Sequence, residues 1–302
     1  MSAKLRDFKR NLPYHLMLLP CVIMLVIFNY IPMYGVKIAF QKFIPARGMF
    51  GEQTWVGLKN LTYIFKMQDF YIALRNTIFI SFMKLFLGML TSIIFAILLN
   101  ELRNNKLKRT IQTAVYLPHF LSWIILAGVF VDIFSPSYGI INKLIKALGF
   151  EPIFFLGSNK WFPAVLIGTE VWKEFGFGTI VYLAAIVSID PSLYESAIVD
   201  GANKWRQIWH ITIPGLLPII ILLSLLNIGS ILNGNFDQVF NLYSPQVYRS
   251  GDILDTLIYR VGLLDANYSL STAIGLFKSL VSLVLISTSY YLAYKVADYR
   301  IF

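Results

Sequence analysis

Residues Tyr194–Pro218 read YESAIVDGANKWRQIWHITIPGLLP. The stretch is polar and helix-prone, yet it stands between two long apolar segments. Just before it, Asp190 is placed to cap a helix with Pro191 at the first helical position, and Ser192 with Glu195 has capping-box spacing. Gly201 breaks that helix and Asn203 can cap the next. The second half carries Trp205, Ile208, Trp209, Ile211 and Ile213, after which Pro214 and Pro218 lead into further apolar sequence. The expected object is a helix–glycine–helix elbow at a membrane surface. Such an elbow suits docking a partner better than merely linking two spans.

Composition supports the membrane setting. The chain has 302 residues, of which 57% are hydrophobic and only 14% charged, with a mean hydropathy of +0.65. Soluble chains carry nearer a quarter charged residues. A net charge of +10 would suggest nucleic acid in a soluble protein, but here the basic residues flank apolar segments and no nucleic-acid motif accompanies them. The single cysteine, Cys21, permits no internal disulfide and reads as a small buried hydrophobe within the first apolar run.

Six spans are expected, near Tyr14–Phe40, Asn76–Leu99, Ile111–Phe134, Trp161–Val187, Gly215–Leu232 and Thr272–Tyr294. The first run could be a signal peptide, with Lys4, Arg6, Lys9 and Arg10 before it. It is too long for that and has no small-residue cleavage site, so it reads as a retained span. The third span contains Pro118. Short helices are expected at Leu61–Met67 and Ile140–Leu148, and Asn233–Leu270 reads as a long polar loop. The N-terminus, the Asn100–Thr110 loop, the elbow and the tail hold about 12 Lys and Arg in about 55 residues, against about 10 in about 97 for the other loops. Both termini and the elbow are therefore expected in the cytoplasm of a multi-pass protein of the cell membrane.

The elbow closely resembles the EAA loop of permease subunits of binding-protein-dependent ABC importers. The resemblance is carried by Glu195-Ser196-Ala197, Asp200-Gly201-Ala202, Ile211 and Ile213-Pro214, with Ser196 and Ile213 standing where the family usually has Ala and Leu. Residues 28–35, FNYIPMYG, and 116–120, YLPHF, resemble the LplB-like group of permeases for complex oligosaccharides. The resemblance implies an all-α importer-permease (MetI-like) core over about 70–295, with the coupling loop at 190–214. Residues 1–69 would hold the N-terminus, a peripheral first span and an outer loop, and 296–302 a cytoplasmic tail. It further implies a second related permease, two ATP-binding subunits that bind the ATP and magnesium, and an extracytoplasmic solute-binding protein. Alternating access would import a carbohydrate, with membrane lipid around the spans. Glu195, Ser196, Ala197, Asp200, Gly201, Ala202 and Pro214 are the implied coupling residues.

The chain carries no phosphate-binding G-x-x-x-x-G-K-[ST] loop, so it is not expected to bind ATP or any other cofactor itself. His15, His119 and His210 lack metal-ligand spacing, and no enzyme constellation is found. His119 reads as a packed or helix-terminal residue. Charges inside spans are more informative, since one near mid-membrane costs about 2.5–3.5 kcal/mol unless it faces protein or water. Glu170, Lys173 and Glu174 share one face of the fourth span by i,i+3 and i,i+4 spacing, flanked by Trp172, Phe175 and Phe177. They form either a solute path with an aromatic platform or an internal ion pair. Lys84 and Lys278 either answer the spare carboxylate or meet an anionic solute. Asn227, Ser230 and Asn233 form a polar stripe on the fifth span, either solute-facing or bonded between helices, and Asn235, Asp237 and Gln238 extend it outward. A self-contained six-helix secondary transporter or channel is the alternative, and it would need neither the elbow nor an ATPase.

Overall fold

Apolar segments of this length fold as helices because hydrocarbon offers the backbone no other hydrogen-bond partner. The computed structural model describes the backbone of residues 3–297 and the side chains of residues 11–295. The side chains of Lys4, Arg6, Lys9 and Arg10, and all of the tail beyond 297, lie outside the described residues. Helix α1, Ala3–Leu25, continues through a π turn at Val26–Tyr30 and a 3-10 turn at Tyr34–Phe40. A hairpin pairs β1, Gln41–Lys42, with β2, Thr54–Trp55, and α2 follows at Lys59–Ile64. Then come α3 (Gln68–Glu101), α4 (Asn105–Tyr116), α5 (Trp123–Phe134), α6 (Ile140–Ala147) and α7 (Phe162–Val187). The elbow supplies α8 (Pro191–Val199) and α9 (Lys204–Gln207). The chain closes with α10 (Ile213–Ile228), α11 (Phe236–Leu242), α12 (Leu254–Tyr259) and α13 (Tyr268–Ala297). The fold is all-α apart from the hairpin.

The chain divides into two units. The first comprises 1–66 with 258–277, and the second 67–257 with 278–302. In the first, Asn60 Nδ2 donates to the carbonyls of Ala39 and Gln41, at 2.9 and 3.1 Å, and so ties α2 to the start of the hairpin. Phe43 N–H donates to Ser269 Oγ at 2.9 Å, and Phe65 meets Phe277 edge to face. The most apolar window of the first span has no buried residue, as suits a helix side facing lipid rather than protein, so Cys21, expected to be buried, is exposed.

In the second unit α3 and α7 make the most extensive helix pair. One core gathers Ile80, Trp123, Leu126, Phe130, Phe162 and Leu166 with Val239, Leu242, Val247 and Ile253. A second joins Ala96, Tyr182, Ile186 and Leu216.

Three expectations are corrected here. The third span is not one straight helix: α4 and α5 meet at 104°. Pro118 lacks an N–H, Leu117–Phe120 tightens to a 3-10 turn, and Ser122 Oγ then caps α5 by accepting from Ile125 N–H at 3.4 Å. The stretch 233–270 is not an exposed polar loop. Its apolar residues Val239, Ile253, Leu254 and Leu257 are fully buried, and it folds into short helices with part of it in the core. The fifth span begins inside the elbow, as one helix over Lys204–Ile228. By length and composition, four described helices can cross a membrane, or up to six if each bent pair counts as one span.

The bent third span touches α7 at its backbone. A Cβ built on Gly176 would lie 2.0 Å from the Val115 carbonyl oxygen, where only glycine fits. Gly176→Ala is expected to destabilise the protein by about 1–3 kcal/mol through overpacking, read by thermal unfolding of the purified protein. Gly168→Ala on the same helix, with nothing within 4 Å, should be neutral or slightly stabilising. Equal stability of both variants would show that this crossing tolerates a side chain.

Candidate functional site

The elbow is built by local chemistry. Asp190 caps α8, its carboxylate accepting from Ser192 N–H at 2.9 Å. That backbone bond, helped by the Ser192 side chain, holds the Asp190 carboxyl below its ordinary range. The helix ends with Gly201 N–H bonded to Ile198 O at 3.0 Å and Ala202 N–H to Ala197 O at 2.8 Å. This is a Schellman stop with Gly201 at φ +75°, a conformation glycine adopts without strain. Asn203 caps α9 by accepting from Arg206 N–H at 2.9 Å. Two bonds brace the bend: Tyr194 OH with Thr212 Oγ1 at 2.9 Å, and the buried Gln207 Nε2 to Ala202 O at 3.0 Å.

Of the residues expected from the sequence to couple, Glu195, Ser196, Asp200, Gly201 and Pro214 are exposed, and Ala197 and Ala202 half-buried. Apolar side chains beside them are uncovered as well: Leu193, Ile198 and Val199, the last 87% exposed. Trp205 and Trp209 project from the second half.

A cavity of about 470 Å³ lies between α3, α7, α10 and the chain just after it. It brings together Lys84, Glu170, Glu174, Phe177, Asn227, Ser230 and Asn233, which the sequence singled out from three separate spans. It also takes in Ser81, Gly88, Ser92 and Tyr182, which sequence reasoning missed. A signal for them existed: Ser81, Lys84, Gly88 and Ser92 fall at i, i+3, i+7 and i+11, one face of a helix. Ser81 Oγ is buried without a hydrogen-bond partner.

The charges are held by specific partners. Lys84 Nζ donates to Gly234 O at 3.2 Å and to Gln238 Oε1. Gln238 is fully buried, and its Nε2 donates to Leu166 O at 2.7 Å and Thr169 Oγ1 at 2.9 Å. Asn235 Nδ2 reaches both Glu170 oxygens, at 3.1 and 2.9 Å. Asn235 sits at φ 61°, a left-handed position that asparagine tolerates, and its Oδ1 caps α11. Asn235 and Gln238 therefore turn inward as struts, whereas the sequence suggested an outward extension of the polar stripe.

The ion pair within α7 also differs from expectation. Lys173 does not answer Glu170. It is buried, and its Nζ donates to Glu174 Oε1 and to His119 O, both at 2.8 Å. The free carbonyl at the bent third span draws it there. His119 Nδ1 meets Glu174 Oε2 at 2.7 Å, and its ring stacks on Phe177 at 4.1 Å. Trp172 faces a separate apolar pocket with Phe130, Phe134, Phe155 and Trp161. Lys278 pairs with Asp255 and is not among the cavity's lining residues.

Residues 88–301 match the family described as binding-protein-dependent transport system inner membrane component. Protein LplB of Bacillus subtilis is 42% identical over 287 residues, covering 95% of this chain and 90% of that protein. The polygalacturonan/rhamnogalacturonan transport system permease protein YteP of the same organism is 39% identical, covering 95% and 89%. A subunit in the crystal structure of a bacterial ABC transporter for import of the acidic polysaccharide alginate superposes with a TM-score of 0.89. It is 38% identical, with 98% of this chain and 99% of that one covered.

The buried web under the cavity can be tested directly. Gln238→Leu leaves the Lys84 ammonium with a single acceptor and frees the groups on α7. It is expected to cost about 2–4 kcal/mol, read as a lower melting temperature of the purified protein. An unchanged melting temperature would remove Gln238 from the support of Lys84.

Proposed function

This chain belongs to the binding-protein-dependent transport system inner membrane component family, and from that membership we propose a working cycle for it. It is a membrane-embedded permease subunit of an ABC importer, a transport component and not an enzyme. In the proposed cycle its solute is a carbohydrate, in keeping with the polygalacturonan/rhamnogalacturonan and alginate transporters to which it is similar. An extracytoplasmic binding protein delivers the solute, and a crystal structure similar to this chain holds such a protein bound to an alginate pentasaccharide. A second related permease completes the path. Two cytoplasmic subunits hold ATP and magnesium, and both termini and the elbow lie on their side of the membrane.

The elbow carries this reading. Helix α8 displays Glu195 and Asp200 among uncovered Leu193, Ile198 and Val199, a surface that gains by being covered. In the cycle it seats in a cleft of an ATP-binding subunit. Because α9 runs without a break into α10, a push on α8 reaches the cavity wall at Asn227 through one helix. Closure of the ATPase pair draws the elbows together, and the spans rock around the cavity to open it outward. Reopening releases the solute inward.

Gly201→Asp tests the coupling. No atom lies within 4 Å of a Cβ there, so the variant should insert and assemble, while a charge and a strained turn spoil the docking face. Transport is expected to be abolished, and the wild-type chain to co-purify with its ATP-binding subunits. Normal uptake by a well-inserted variant, or transport by this chain alone in liposomes, would overturn the coupling.

A further inference from the structure

We propose that the rings of Phe236, Phe240, Tyr243 and Tyr248 form a stacking track that holds glycosyl units outside the cavity and leads them into it. The inference rests on the carbohydrate reading above and deepens it. The rings follow one another at centroid distances of 5.0, 6.1 and 5.1 Å, the first pair within 17° of parallel. The track starts at the cavity. Asn233 lines that cavity, and Asn235, just before Phe236, bonds Glu170 partway along α7. It ends level with the end of α7 that lies away from the elbow, where Asn159 Nδ2 donates to Gln246 O at 2.8 Å. With the elbow in the cytoplasm, the rings cover the outer part of the path.

Helix α11 has three faces. Gln238, Val239 and Leu242 are buried and fix it to the core. Phe236, Phe240 and Tyr243 fall at i, i+4 and i+7, a second stripe about a third of a turn around. Phe240 is 36% exposed and the other two are half-buried. Rings kept for packing alone would be covered as Val239 is. Asp237 and Asn241 make the third face. Asp237 is exposed, and Asn241 Nδ2 donates to Asp237 O at 2.7 Å. A sugar ring is divided in the same way. Its C–H face is apolar and suits the negative face of an aromatic ring, while its hydroxyl rim seeks acceptors such as the Asp237 carboxylate. A lipid tail or an apolar helix laid on the rings would instead bring that carboxylate into apolar contact, which is costly. Each step of the track is close to the width of one sugar ring, so an oligomer can advance from ring to ring without losing every contact.

The test uses the transporter assembled with its partner permease and ATP-binding subunits, without the solute-binding protein, so that the membrane path alone is read. It is titrated calorimetrically with oligomers of galactose and of galacturonic acid, each as a trisaccharide and a hexasaccharide. For a sugar that binds, the hexasaccharide is expected to bind the wild type more tightly, because it reaches past the cavity onto the rings. Phe240→Leu keeps apolar bulk without a ring. It is expected to weaken the hexasaccharide by about tenfold, the scale of truncating one aromatic contact, and to leave the trisaccharide within about twofold. Phe240→Tyr keeps the ring and should keep the wild-type ratio. A hexasaccharide that gains nothing over the trisaccharide overturns the track, as does a Phe240→Leu variant that leaves the ratio unmoved or weakens both lengths alike. Loss of the partner permease from the Phe240→Leu assembly also overturns it, since the face would then be a subunit contact. Binding of none of the four oligomers overturns the carbohydrate reading itself, and this inference with it.

Discussion

An ammonium group carried partway along a membrane-crossing helix has to find acceptors inside the protein, because lipid offers none. Lys84 finds them in Gly234 O and Gln238 Oε1. Gln238 passes the tie on to Leu166 O and Thr169 Oγ1, and Asn235 continues it to Glu170. Through this web α3, α7 and the segment that opens with α11 are held in one register. The segment could otherwise lie on the surface as a loop. It is instead drawn into the core, where Val239, Leu242 and Ile253 pack on Phe162 and Leu166.

What could be read from the sequence follows from range. The elbow is made of contacts no more than a few residues apart: an N-cap at Asp190, a glycine stop at 201, a second cap at Asn203. Those signals are local, and the structure repeats them. The long apolar helices are likewise set by composition. The bend at Pro118 was visible as a proline, but the approach of Val115 to Gly176 beside it is a contact between distant parts of the chain. Pairing of charges also failed locally. Spacing on α7 put Lys173 beside Glu170, while the structure offers it the His119 carbonyl from another helix. Likewise Lys278 found Asp255, which was not considered as its partner.

The two sites differ in how they are finished. The cavity groups are nearly all satisfied within the chain, so its wall is preorganised and a guest has to fit what is there. The elbow is the reverse. Its bend is braced by Tyr194–Thr212 and Gln207–Ala202, while Leu193, Ile198 and Val199 stand exposed on its outer side. A rigid frame with an unfinished surface is what a docking helix needs, since little ordering remains to be done when the partner arrives.

The folded third crossing has a consequence for biogenesis. A helix of 12 residues is about 18 Å long, well short of the roughly 30 Å hydrocarbon layer. Asn105–Tyr116 also carries Lys106, Lys108 and Arg109, which leaves Trp123–Phe134 as the only strongly apolar half. Neither half is long enough to span the bilayer by itself. The close approach of this crossing to Gly176 can form only once α7 has been made. Maturation of the protein in the membrane thus waits on synthesis of a helix some forty residues further along, and anything that stalls translation before about residue 176 would strand the third crossing without its seat.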